Sequence, residues 1–319
     1  MKPPVNFDPR SPLLHYQKEW IKDTAQFKAA VKSRRIGLTY AQALDDVLTA
    51  ALSKEDGGMD CLYMSTKTDL GREYIDTCKD WVRKINPVAK VVEGSEVIED
   101  TNELAYTLKF ESGHKIMALS SNPSNMRGLK GRVTIDEVAF HEKIPELIKA
   151  AGALLMWGGQ VRLISTLNGV ENDYTRLCDD IAEGKKQGAS FHKITIDDAL
   201  SQGLYFRICQ DQGKDISNEN EVLHNQQLWL EELISQYGEA AKEELYCIPR
   251  SGDESYFDLE VINRAMSKEK WDSVKALIPP ECPIRNFPYI ETYYKTSEFF
   301  KLEPEKQKED ASEWMMFIQ

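Results

Sequence analysis

The feature that most constrains this chain is Val31-Lys32-Ser33-Arg34-Arg35-Ile36-Gly37-Leu38-Thr39, a basic turn set between two periodic segments. Residues 26–31 read as a short strand, and 39–52 carry Leu44, Val47, Leu48 and Ala51 at helical spacing. Strand, turn and helix in this order form the setting of a phosphate loop, G-x-x-x-x-G-K-[ST]. Its backbone N–H groups cradle phosphates, a lysine adds charge and a hydroxyl reaches Mg²⁺. Gly37 and Thr39 take the second-glycine and hydroxyl positions. Leu38 stands where the lysine belongs, and Lys32 where the first glycine belongs. The match is incomplete, and a plain basic turn ahead of a helix is the competing reading.

A second stretch shifts the balance. Val133-Thr134-Ile135 is a short apolar strand ending on Asp136-Glu137. Neighbouring strand residues face opposite ways, yet acids at a strand's carboxyl end lie at the crevice where α/β sheets bind ligands. There Asp136 can hold Mg²⁺ and Glu137 can polarise an attacking water. A strand that ends in solvated acids is the bland alternative. Loop, spacing and acid pair together favour an ATPase.

These elements resemble the large terminase subunits of tailed phages, motors that package DNA, and most of all their Mu-like branch. Tyr16-Gln17 matches an upstream Tyr-Gln element, and Lys32–Thr39 matches the family's Lys-Ser-Arg-Arg-x-Gly-x-Thr loop with its lysine moved to the front. Arg127-Gly128 precedes the acid strand, Ser165-Thr166 with Asn168 matches the coupling strand, and Ile194-Thr195-Ile196-Asp197-Asp198-Ala199 is also similar to Mu-like members. The resemblance implies a P-loop NTPase of the ASCE type, an α/β fold with a mainly parallel sheet flanked by helices and a small helical lid.

It also implies ATP and Mg²⁺ as cofactors, with an ATP site over Gln17, Lys32, Ser33, Arg34, Arg35, Ile36, Gly37, Leu38 and Thr39. Gln17 would read adenine through its amide, and Thr39 with Asp136 would hold the metal. Glu137 would activate water while Lys32 reaches back across the loop, and Arg34 would act within its own subunit. Ser165, Thr166, Asn168 and Arg127 are expected to couple or sense hydrolysis, with one of Arg127, Lys130 and Arg132 touching the γ-phosphate or a neighbouring subunit. The implied partners are double-stranded DNA, a portal protein and a small terminase subunit, with several copies ringed on the portal in the host bacterial cytoplasm. An inactive prophage remnant or nucleotide-binding fragment, and a helicase-like ATPase, remain as other readings.

Composition bounds these expectations. Forty-one per cent apolar residues support a real core, while a formal net charge of −12 excludes a general basic surface for coating nucleic acid. Any DNA contact must therefore be a local patch, or a ring built from several subunits. The six cysteines show no C-x-x-C spacing, so no zinc site or disulfide framework is suggested and a reducing compartment fits. The most apolar run, 148–164, is interrupted by Lys149, Gly158-Gly159 and Arg162 and is no membrane span.

Along the chain, residues 1–12 carry four prolines and read as an extended arm. The ATPase core is expected over 13–200, with helices at 16–24, 66–85, 141–156 and 174–186. Strands are expected at 61–65, 91–98, 104–110, 115–119, 160–165 and 190–196. A helical lid is expected over 201–250, with a strong amphipathic helix at 218–237. Beyond 250 the reading is a linker or extension with a possible helix at 256–267. The family's nuclease domain, built on several carboxylates, finds no matching strand there and is expected to be absent.

Overall fold

Short runs apolar on both faces belong to parallel strands covered on each side by helices, and the chain alternates such runs with helical ones. The structure, a computed structural model, describes residues 7–86, 91–98 and 103–250. In order these form α1 (His15–Lys22), β1 (Phe27–Lys32), α2 (Leu38–Ala51), β2 (Cys61–Met64), α3 (Thr68–Ile85), β3 (Val92–Ile98) and β4 (Glu103–Lys109). Then come β5 (Lys115–Leu119), β6 (Arg132–Asp136), α4 (Ile144–Leu154), β7 (Gln160–Ser165), α5 (Asp173–Ala182) and β8 (Ala189–Ile194). Four helices follow: α6 (Ile196–Ser201), α7 (Leu204–Asp211), α8 (Glu219–Tyr237) and α9 (Ala241–Glu244).

The strands build one eight-stranded sheet in the order β3-β4-β5-β2-β6-β7-β1-β8. From β5 to β8 all pairings are parallel, whereas β3 and β4 add an antiparallel edge. The expected α/β fold is therefore present, including its antiparallel excursion. Strand β7 lies between the loop strand β1 and the acid strand β6, which is the ASCE arrangement.

Side-chain alternation sorts the core into layers. Cys61 and Tyr63 of β2 and Ile116 and Ala118 of β5 pack with α2 and α3. Leu62, Met64, Met117 and Leu119 point to the other face, where α4 and α5 lie. A third cluster joins Leu14, Trp20, Ile36 and Leu38 to Ile196, Leu200, Phe206, Leu230 and Leu245. Packing is thus continuous across residue 200, and residues up to Asn168 and from Asn172 to Pro249 form one compact unit. Gly169–Glu171 and Arg250 belong to a second unit. The linker and helix expected beyond 250 lie outside the described residues.

Several bounds differ from expectation, each for a local reason. Strand β8 stops at Ile194 because Thr195 caps α6: its hydroxyl accepts from the Asp198 N–H while the Asp198 carboxylate accepts from the Thr195 N–H. Helix α5 ends at Ala182, ahead of Gly184 in the left-handed region. Helix α4 starts only at Ile144, with Pro145 in its first turn. Within the expected arm, Phe7 packs on Phe206, while Ser11 and Pro9 offer carbonyls to Arg207 and Gln210 of α7. No helix among the described residues is long and apolar enough to cross a membrane. The cysteines among them are free and buried.

Candidate active site

The carboxyl ends of β1 and β6 open onto a cavity of about 880 Å³ lined by Lys32, Arg34, Gly37, Thr39, Asp136 and Glu137, among others. The turn from β1 to α2 is shaped by two left-handed residues, Arg35 (φ 55°) and Gly37 (φ 75°). Glycine suits position 37 by its left-handed backbone, and a Cβ there would lie 2.8 Å from the Gln17 amide nitrogen, so that amide would have to move. Immediately after it α2 begins. The first N–H groups of a helix have no partner within it, so this end offers donors and the positive end of the helix dipole to an anion.

The misplaced lysine is explained by direction. Leu38 is 1% exposed and sits in the core with Trp20 and Ile36. Lys32, at the end of β1, sends its Nζ to within 3.0 Å of Glu137 Oε1. The positive charge at this cavity is thus carried by the strand residue, while position 38 is apolar and buried. Thr39 donates to Asp136 Oδ2 at 2.9 Å, and the Tyr63 hydroxyl donates to the same oxygen at 2.8 Å. Burial, reinforced by the Glu137 charge, raises the Asp136 carboxyl above its ordinary range, against the pull of Lys32, Tyr63 and Thr39.

Strand alternation would send Glu137 to the opposite face from Asp136. It does not, because Glu137 leaves the strand with φ 51° and turns back over the cavity. A non-glycine residue in that region carries strain, which is held here by its surroundings. The Asp136 carboxylate accepts the Glu137 N–H at 3.0 Å, and His141 Nε2 meets the Asp136 carbonyl at 2.9 Å.

Gln17, which lines a neighbouring cavity of about 660 Å³ with Ile36, Gly37 and Tyr40, and the end of β7 both make hydrogen bonds within the chain. The Gln17 amide nitrogen donates to Gly37 O at 2.8 Å and its oxygen accepts from the Leu14 N–H at 2.8 Å. It braces the loop. Ser165 accepts the Ala139 N–H at 3.1 Å, and Asn168 donates to Ala139 O at 3.3 Å, so both grip the 3₁₀ turn Val138–Phe140 that follows Glu137. Thr166 is buried and its hydroxyl has no partner among the described residues.

Arg127 follows the 3₁₀ turn Pro123–Met126 and lines a different cavity. The buried Ser33 gives its N–H to Ile194 O, and the exposed Arg34 gives its N–H to Glu244 O at 2.8 Å. The Arg34 guanidinium pairs with the Glu244 carboxylate at 3.1 Å. Arg35 and Ile36 complete the loop, the first exposed and the second buried. Sequence reasoning missed Tyr63 and Glu244. A tyrosine in an apolar strand and a glutamate in a helical tail carry no local sign of such contacts.

The donor set suits a nucleotide with Mg²⁺. Thr39 Oγ1 and Asp136 Oδ2 are hard oxygens, and Mg²⁺ bound with phosphates takes one or two protein ligands and fills the rest with phosphate oxygens and water.

A phosphate-loop turn at the end of β1, an acid pair at the end of β6 and one strand between them define a P-loop NTPase fold of the ASCE class. Residues 29–264 match the family described as terminase large subunit, T4likevirus-type, N-terminal. The chain belongs to this family of large terminase subunits. It is 45% identical over 270 residues to the Mu-like prophage FluMu protein gp28 of Haemophilus influenzae, covering 83% of this chain and 52% of that protein. It is 38% identical over 306 residues to the probable terminase, large subunit gp28, of Escherichia phage Mu, covering 94% of this chain and 52% of that protein. The chain thus spans about half the length of these curated relatives. Among solved structures, the Thermus phage P74-26 large terminase ATPase domain is similar at a TM-score of 0.49 and 15% identity, over 75% of this chain and 94% of that one.

Proposed function

We propose that this chain is the ATPase part of a DNA-packaging motor, hydrolysing ATP to move double-stranded DNA into a procapsid. The observation that carries the reading is the crossed pairing in one cavity: Lys32 on Glu137, and Thr39 on Asp136. In a P-loop site these four side chains have separate tasks on one phosphate group.

Lys32 leaves Glu137 to meet the phosphates, and Arg34 exchanges Glu244 for phosphate oxygens. Glu137, freed of its cation, orients a water and accepts its proton as the water oxygen bonds to the γ-phosphorus and the bond to the β,γ-bridging oxygen breaks. Thr39 and Asp136 would hold Mg²⁺, which when bound supplies positive charge at the phosphate oxygens. Ser165 and Asn168 report the event through the turn behind Glu137, and Thr166, with its unpartnered hydroxyl, stands beside them. The Glu244 contact ties the loop to the helices of 201–250, which serve as the lid. Several copies ringed on a portal protein, with a small terminase subunit, complete the machine in the host cytoplasm.

The test is Mg²⁺-dependent ATP hydrolysis by the purified chain, with and without duplex DNA, beside Glu137→Ala and Lys32→Ala. Loss of a catalytic base of this kind costs about 10²–10⁴-fold in rate. Glu137→Ala is expected to show such a loss with ATP still bound, and Lys32→Ala to abolish turnover. Near-normal hydrolysis in Lys32→Ala overturns the role given to that lysine. Neither binding nor hydrolysis in the unaltered chain makes it a remnant. Stimulation by single strands with strand separation makes it a helicase.

A further inference from the structure

A second cavity, of about 760 Å³, lies between the loop that leads into β6 and the outer side of α4. Arg127, Lys130, Lys143 and Lys149 line it, against a single acid, Glu146. All four cations are exposed, and among the described residues none of them has a carboxylate partner. That composition runs against the rest of a chain with 52 acidic and 40 basic residues. Four such cations around one trough give a local positive field that draws an anion to it.

We propose that this trough binds the phosphate backbone of double-stranded DNA. Three features favour a nucleic acid over an acidic protein surface. First, the cations line a trough and do not form a single complementary pair. Lys143 and Lys149 lie about 9 Å apart along the α4 axis, with Arg127 and Lys130 on the loop that lines the same trough. Second, Trp157 is 80% exposed on the rim, with Lys130 Nζ 5.5 Å from its ring centre. Its indole N–H is a donor only and can add a hydrogen bond to the phosphate oxygens that the cations attract. Third, one side of the trough runs directly into Asp136-Glu137 through β6, and the other begins just after the turn that follows Glu137. Load on the trough therefore bears on both sides of the acid pair, as DNA-responsive hydrolysis requires.

The identity of the polyanion rests on the packaging reading; the trough's affinity for a duplex is measured separately from it. A short labelled DNA duplex is titrated with the full chain, without nucleotide, at several NaCl concentrations. Each phosphate contact contributes about 0.9 to the slope of log affinity against log salt. The Lys143→Glu/Lys149→Glu variant is expected to bind at least about tenfold more weakly, with a slope reduced by about two. Lys143→Gln/Lys149→Gln should fall between it and the unaltered chain, and Lys185→Glu, a reversal in the turn after α5, should leave binding unchanged. Basal hydrolysis without DNA should persist in the double variants while its stimulation by duplex is lost.

Duplex affinity unaltered by the double reversal overturns the proposal, as does absence of duplex binding by the unaltered chain. A variant that changes self-association in sedimentation but keeps its DNA affinity overturns it in favour of a contact between copies. Charge-dependent duplex binding by a chain that hydrolyses no ATP sustains the trough and defeats the motor reading. Hydrolysis with duplex binding indifferent to the trough does the reverse.

Discussion

Strand β1 carries a lysine near each end, and the two have opposite fates. Lys28, at the amino end of the sheet, is fully buried and donates to Trp20 O at 2.6 Å and Asp23 O at 3.0 Å. Around it the charges are closed on one another. Arg132 pairs with Asp45 at 2.9 Å and Asp46 at 3.2 Å, Tyr74 donates to Asp46, and Arg132 and Arg162 share Gln160. Lys32, four residues on, faces the same way along the strand but ends at a cavity, on a glutamate that is 32% exposed. Both ends of the sheet bury charge. At one end the partners are backbone carbonyls and packed side chains; at the other the partner is a half-buried side chain beside open volume. Burial alone therefore does not distinguish the two lysines; the open volume beside Lys32 does.

Substitution of the two lysines by methionine puts this contrast at risk. Lys32→Met is expected to lower ATP turnover by about 10²–10³-fold, the effect of removing one such electrostatic contact. Its stability should change little, because methionine keeps the buried stem and the Glu137 carboxylate left behind, 32% exposed, can turn to water. Urea unfolding alongside the ATPase assay reads both quantities. Lys28→Met should do the opposite. It strands two carbonyls, at a cost of about 1–3 kcal/mol, and should leave turnover close to that of the unaltered chain. Equal catalytic losses in both variants would erase the distinction between the two ends.

A pH series sharpens it. Burial, together with the nearby Arg162 charge, lowers Lys28 from the ordinary 10.5 to about 7. Between those values the unfolded chain binds more protons than the folded one, so stability rises with pH through the window. Below pH 7 both states are protonated and the burial cost is present in full. Thermal unfolding of the unaltered chain from pH 7 to 9 should therefore show a rise that is absent in Lys28→Met. A parallel course in the two proteins would mean that Lys28 titrates as an ordinary lysine.

The smallest expected effect concerns Gln17. If its amide braces the loop at Gly37, Gln17→Ala should weaken ATP and GTP binding by the same factor, worth about 1 kcal/mol for one hydrogen bond. Calorimetric titration with both nucleotides measures this. A loss confined to ATP would restore the adenine-reading role suggested by the Tyr-Gln resemblance.

Much of the fold was legible in the linear chain. Period-two apolar runs and period-3.6 helices are local, so β2, β5, β7 and α8 could be placed within a residue or so. The nearness of Thr39 to Asp136 was also expected, because both stand at carboxyl ends of parallel strands or just beyond them. What the sequence by itself determined, then, was a β–loop–α unit, an acid strand a hundred residues later and a cation displaced from its ordinary place.

Only the tertiary structure decided what each charge faces. It placed Leu38 in the core and Lys32 in the cavity, and turned Glu137 back beside Asp136 through a left-handed backbone. It bound Arg34 to Glu244, more than two hundred residues away, and gathered Arg127, Lys130, Lys143 and Lys149 around one trough. Periodicity reports which face of an element is buried. It carries no record of which distant side chain completes a charge, because that depends on strand order and on backbone turns set by packing between elements.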